Sequence, residues 1–176
     1  MDLIDIAQNI LRDCMGAKQG EEVLIVTDDS RVNIAQALYK GAVNLGCEAM
    51  MMVMKERELN GEEPPKAVAE AMKAADIVIC PTAKSLTHTN ARIRAAETGT
   101  RVATMPGITE KMFSQGAMTA DYAAVEQLTA RITGMLTASK TARIEKDGCV
   151  LTLNLDGRKG VPSPGVYRKP GQCGNL

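Results

Sequence analysis

One stretch of the chain concentrates side chains able to touch a ligand: Pro81-Thr82-Ala83-Lys84-Ser85-Leu86-Thr87-His88-Thr89-Asn90. It packs four hydroxyls, an amide, a lysine and the one histidine of the sequence into ten residues. A helix is expected to begin near Ser85 to His88. A helix N-terminus presents free N–H groups and a positive dipole end, which suits a phosphate or a carboxylate. Thr82, Ser85, Thr87 and His88 are therefore expected to bind a small anion. Asp28, in the earlier loop Thr27-Asp28-Asp29-Ser30, is a further ligand-binding candidate and has the chemistry to hold a ribose hydroxyl. The same side chains also suit plain helix capping, with His88 bonded to backbone. Both roles stay open from sequence.

Other chemistries fail on counting. A catalytic zinc site takes three protein ligands, commonly including histidine, and one histidine is present. No acidic pair stands at i, i+3 or i, i+4 in these loops, and Glu56, Glu58, Glu62 and Glu63 read as a solvated face of a polar connector. Catalytic residues and metal ligands are thus expected to be absent from this chain. No G-x-G-x-x-G follows the first strand, and no P-loop pattern occurs. His88 is the sole available base for a serine or cysteine nucleophile, without an orienting carboxylate in view. The cysteines, Cys14, Cys47, Cys80, Cys149 and Cys173, form no C-x-x-C pair, which leaves reduced and partly buried thiols.

The loops need elements to hold them, and the sequence supplies alternating ones. Val23 to Val26, residues 48–54, residues 76–80 and residues 101–105 are short apolar runs of the kind buried on both faces of a parallel sheet. Helical patterns fall between them, over about 3–15, 31–45, 65–75 and 85–97, with glycines or prolines at their ends. A short helix is expected near Glu110 to Phe113. A long one over 119–139 should carry Tyr122, Val125, Leu128, Ile132, Met135 and Leu136 as its inner stripe. Strand–helix alternation predicts a doubly wound, mostly parallel α/β sheet of Rossmann or flavodoxin-like type. In such sheets ligands bind beyond the carboxyl ends of the strands, where the loops above must lie.

After Ser139 the pattern changes. Ala142, Ile144, Leu151, Leu153 and Leu155 alternate with polar residues around a Lys-Asp-Gly turn, which predicts an antiparallel hairpin. The last 20 residues hold five of the 15 glycines and three of the seven prolines, an irregular tail unfit for a helix or a central strand. Residues 1–140 are expected to fold as an α/β unit. Residues 141–176 then open a truncated second domain, with 157–176 ordering only against a partner surface. The apolar hairpin predicts homo-oligomers.

Basic and acidic side chains balance at 21 each, so nothing favours nucleic acid or an anionic membrane. No membrane span or secretory leader is legible, and a cytoplasmic location is expected. Aromatics are scarce, with no Trp, and 11 Met take over part of the packing.

GEEVLIVTD, GEEPP, DIVICPTAKSLTHTNAR, RVATMPGIT and the final PGQCGNL, in this order, resemble the N-terminal half of the aminopeptidase T family of metallopeptidases. Its wider group includes a 2,5-dihydroxypyridine dioxygenase. The resemblance covers almost the whole chain. It implies a two-domain parent about twice this length, whose divalent metal is held by Glu, His and Asp of a C-terminal catalytic domain. The first of those ligands follows an Asn-Leu-Pro run, and so lies just beyond Asn175-Leu176. The resemblance thus implies an accessory, substrate-wall half that is inactive alone, from a peptidase or from a non-haem iron ring-cleaving dioxygenase. A stand-alone anion-binding domain is the remaining alternative.

Overall fold

The computed structural model describes residues 2–176. Its first unit runs up to Ala120 and takes in Gly165–Leu176; its second is Asp121–Pro164. The expected boundary at residue 140 does not coincide with this division. The long helix groups with the hairpin, and the last segment groups with the sheet.

In the first unit, β1 (Glu22–Asp28), β2 (Glu48–Met54), β3 (Ile77–Thr82), β4 (Arg101–Pro106) and β7 (Cys173–Asn175) form one sheet in the order β2-β1-β3-β4-β7. Every pairing in it is parallel. The expected fold class is the one observed. Helices α2 (Val32–Asn44), α3 (Lys66–Ala74) and α4 (Asn90–Glu97) connect successive strands, while α1 (Leu3–Asn9) precedes β1 and α5 (Glu110–Ser114) follows β4. Successive strand residues point to opposite faces. Leu24, Val26, Val78, Cys80 and Val102 pack with Val68 and Met72 of α3 and Ala91 and Ala95 of α4. Their neighbours Val23, Ile25, Ile77 and Ile79 are equally buried, as are Ile6, Ile34 and Leu38 of α1 and α2. Each such aliphatic side chain contributes about 1.5–3 kcal/mol by leaving water.

The ends of these elements follow local chemistry. Asp2 and Asp5 form a capping box on α1, which continues as a π-helical turn over Ile10–Cys14. Gly41 lets α2 approach α1, because a Cβ there would stand 3.0 Å from that of Ala7. At the amino-terminal end of β4, Arg101 pairs with Glu21 at 2.8 Å and donates to the Met15 carbonyl at 2.8 Å.

The tail departs from expectation. Residues 165–176 return to the sheet, where β7 pairs with β4 and Val166 and Tyr167 are buried. The Tyr167 N–H donates to Cys14 O at 2.7 Å, and its hydroxyl donates to Asn175 O at 2.6 Å. Gly174 is required beneath that ring, since a Cβ there would fall on the Tyr167 hydroxyl. A segment read as irregular is therefore an ordered edge strand with its own aromatic clasp.

The second unit holds α6 (Tyr122–Ala138) and a hairpin of β5 (Thr141–Lys146) and β6 (Cys149–Asn154). Asp121 caps α6 through the N–H groups of Ala123 and Ala124. Asp147 (φ 50°) and Gly148 (φ 79°) make the tight left-handed turn that a two-residue hairpin loop demands. The stripe expected to face inward on α6 is not buried: Leu128, Ile132, Met135 and Leu136 are exposed. Periodicity identifies an apolar face but not whether the chain itself covers it. Among the described residues no helix is long and apolar enough to cross a membrane.

Candidate functional site

The order β2-β1-β3 puts a topological switch between β1 and β3, where doubly wound sheets usually open a crevice. Here the polar groups at that crevice bond to one another. Asp28, fully buried at the end of β1, accepts from the Ala83 N–H at 2.6 Å, across the switch. Its other oxygen accepts from the Ser30 N–H and hydroxyl. Thr27 donates to the Pro81 carbonyl at 2.8 Å, and Thr82 donates to the Lys84 carbonyl at 2.7 Å. The Asp28 carboxylate already has three donors within the chain. Nearby, Arg31 Nε is buried without a hydrogen-bond partner.

The β3–α4 loop is braced in the same way, but from more directions. α4 begins at Asn90, not near Ser85 to His88, with Thr89 as its N-cap accepting from the Arg92 N–H. The anion expected at its N-terminus is supplied from within. Glu63 accepts from the N–H groups of Asn90 at 2.6 Å and Ala91 at 3.1 Å. Glu63 is thus no solvated bystander, and Glu62 likewise accepts from the N–H groups of Glu58 and Leu59, which hold its carboxyl below the usual range.

Ser85 donates to Thr87 Oγ1 at 2.9 Å, and its own N–H donates to Asn60 Oδ1. Thr87 and Thr104 of β4 both donate to Asn175 Oδ1, at 2.7 and 2.6 Å. Arg92 ties the Thr87 carbonyl, at 2.7 Å, to the Cys173 sulfur, at 2.6 Å. Of the five residues singled out from sequence, Ser85 and Thr87 share this hydroxyl–amide cluster. Asp28 and Thr82 belong to the switch-point bonds instead. His88 stands exposed between Thr87 and Thr89. Thr104, Asn175 and Glu63 were missed. Asn175 falls in the recognised PGQCGNL run, but nothing local marks Glu63 as a partner of a helix 27 residues on.

Beyond the ends of β4 and β7 lies an apolar hollow of about 370 Å³, lined by Met105, Pro106, Ile108, Met112, Met118 and Leu176 among others. Thr104 and Asn175 of the cluster are the immediate chain neighbours of Met105 and Leu176. Neither lines the hollow itself, and apolar recesses of about 300–1,000 Å³ are the usual form of small-molecule sites. Nucleophilic chemistry from the nearby thiol is disfavoured, because complete burial pushes Cys80 up to about 12. Among the described residues, no three His, Cys, Asp or Glu side chains converge to hold a metal ion. A divalent metal therefore does not fit this chain's own residues, and no chemical step is routed through one.

A parallel β2-β1-β3-β4-β7 sheet with its polar loops beyond the strand ends defines a flavodoxin-like α/β domain. The family model described as "NicX: 2,5-dihydroxypyridine 5,6-dioxygenase" matches residues 2–176, and the chain belongs to that family. A solved 2,5-dihydroxypyridine dioxygenase from Pseudomonas putida KT2440 is similar in fold, with a TM-score of 0.73 and 15% identity. The match covers 98% of this chain and 52% of that one. Wild-type AmpT from Thermus thermophilus is also similar, with a TM-score of 0.58 and 14% identity over 97% of this chain and 58% of that one. The chain thus spans somewhat more than half the length of these structures. No curated protein matches it in sequence.

Proposed function

We propose that this chain supplies the substrate-facing wall of a ring-cleaving dioxygenase of its family, with a divalent metal held by residues outside it. The observation that carries this reading is the apolar hollow of about 370 Å³ beyond the ends of β4 and β7, in a chain that belongs to the dioxygenase family. The family match favours a hydroxylated pyridine ring over a peptide as the occupant. A flat ring suits an apolar recess. The same wall in a metal-dependent aminopeptidase is the competing reading, supported by the AmpT fold.

Amide NMR separates the two. Adding 2,5-dihydroxypyridine should shift resonances of Met105, Ile108, Met112, Met118 and Leu176, while leucine amide leaves them in place. Shifts at these residues from leucine amide alone would move the assignment to the peptidase reading. Shifts elsewhere in the chain from both compounds would remove the hollow as the site.

A further inference from the structure

The second unit exposes an amphipathic hairpin whose free edge carries a self-complementary charge pattern. In the β5–β6 register, Ile144 lies opposite Leu151 and Ala142 opposite Leu153. Residues directly opposite share a face. One face of the hairpin is therefore Ala142, Ile144, Leu151 and Leu153, with Ile144 56% and Leu151 54% exposed. The other carries Arg143, Glu145 and Thr152, with Val150 opposite Glu145. No residue of the second unit is buried, and the hairpin forms a sheet of its own with just two strands. Two strands alone are marginally stable in water; three or more sharing an apolar face are not. Among the described residues, no backbone hydrogen bond joins the outer edge of β5 to anything else.

We infer that the outer edge of β5 pairs antiparallel with β5 of a second copy of this chain, about a two-fold axis at Ile144. An isologous contact requires a self-complementary edge. In this register Ile144 meets Ile144 of the second copy. Arg143 meets Glu145, and Glu145 meets Arg143, so both cross-strand pairs join opposite charges. Within one copy the same two side chains already form an ion pair along the strand. The product is a four-stranded sheet in the order β6-β5-β5-β6, with Ala142, Ile144, Leu151 and Leu153 of both hairpins on one side. The edge of β6 has no such pattern, because Cys149–Asn154 carries no charge. This inference concerns the second unit alone and does not depend on the substrate reading.

Charge reversal tests both the contact and its register. Arg143→Glu places like charges opposite each other at both ends of the pair, and so does Glu145→Arg. Sedimentation equilibrium should show the parent chain as a dimer. Each variant alone should dissociate at roughly tenfold or more higher concentration, since like charges directly opposite destabilise a strand pair. An equimolar mixture of the two variants should recover the dimer, because acidic edges then meet basic ones. That recovery cannot come from the ion pair within one strand. A parent chain that stays monomeric at high concentration overturns the inference. So does a dimer indifferent to both substitutions, or a mixture that fails to recover it. Hairpin amide resonances in each variant that keep the dispersion of a paired strand guard against misfolding of the second unit.

Discussion

Cutting the chain after Pro164 is expected to lower the melting temperature of the first unit by about 10 °C or more. The segment removed contains no long apolar run, yet it closes the sheet. Without it β4 loses its parallel neighbour β7, and the Val102 N–H loses Gln172 O at 3.0 Å. The Leu176 N–H no longer meets Thr104 O. Most of the loss traces to Tyr167, which is 6% exposed and bonded at both its N–H and its hydroxyl. Tyr167→Ala alone should cost about 3 kcal/mol, as large aromatic truncations do. At about 2–4 °C per kcal/mol for a unit of this size, that is roughly 6–12 °C. Thermal unfolding followed by circular dichroism gives the value. A fall of less than about 2 °C for the truncation would mean that the clasp contributes nothing measurable.

The second large effect is expected at Asp28. Its side chain joins the ends of β1 and β3 across the switch point by accepting from Ala83, and it holds Ser30 through the other oxygen. Asp28→Ala strands these donors in a buried setting, at a cost of about 3 kcal/mol. Asp28→Asn keeps the shape but turns an amide donor toward one of the existing donors, so it should rescue only part of the loss. Hydrogen exchange should accelerate first at residues 82–89, whose loop leans on this bond, before global unfolding accelerates. Equal stability of all three proteins would show that the bond is replaceable by solvent. It would also reopen the switch point as a ligand crevice.

The contrast between these two sites explains what the sequence made legible. Val23 to Val26 and Ile77 to Cys80 read as buried strands because both faces of a central parallel strand are apolar, and no other element leaves that mark. Their parallel packing followed from the helical patterns between them. β7 left no mark: Cys173-Gly174-Asn175 has no β-branched residue, and its pairing with β4 and the Tyr167 ring over Gly174 are set by the fold rather than by these three residues. Glu63 was equally hidden, since a carboxylate capping a distant helix looks like any surface glutamate until the chain is folded. The stripe on α6 is apolar as its periodicity predicts, and within this chain Leu128, Ile132, Met135 and Leu136 are not covered. At the candidate site, Ser85 and Thr87 were found by density of hydroxyls alone. Their partners Thr104 and Asn175 come from other strands, beyond the reach of local reasoning.

Oxygen uptake tests the central claim most directly: this chain forms a wall and holds no catalytic metal. The purified chain is incubated with 2,5-dihydroxypyridine and iron(II), and in parallel with leucine amide and zinc, cobalt or manganese. The account predicts no oxygen consumption and no amide hydrolysis above the metal-only controls, because a turning-over metal needs several fixed ligands and the described residues bring no three together. Metal-dependent turnover that follows the chain through purification and is lost in His88→Ala would contradict it, and would place a working metal centre on the β3–α4 loop.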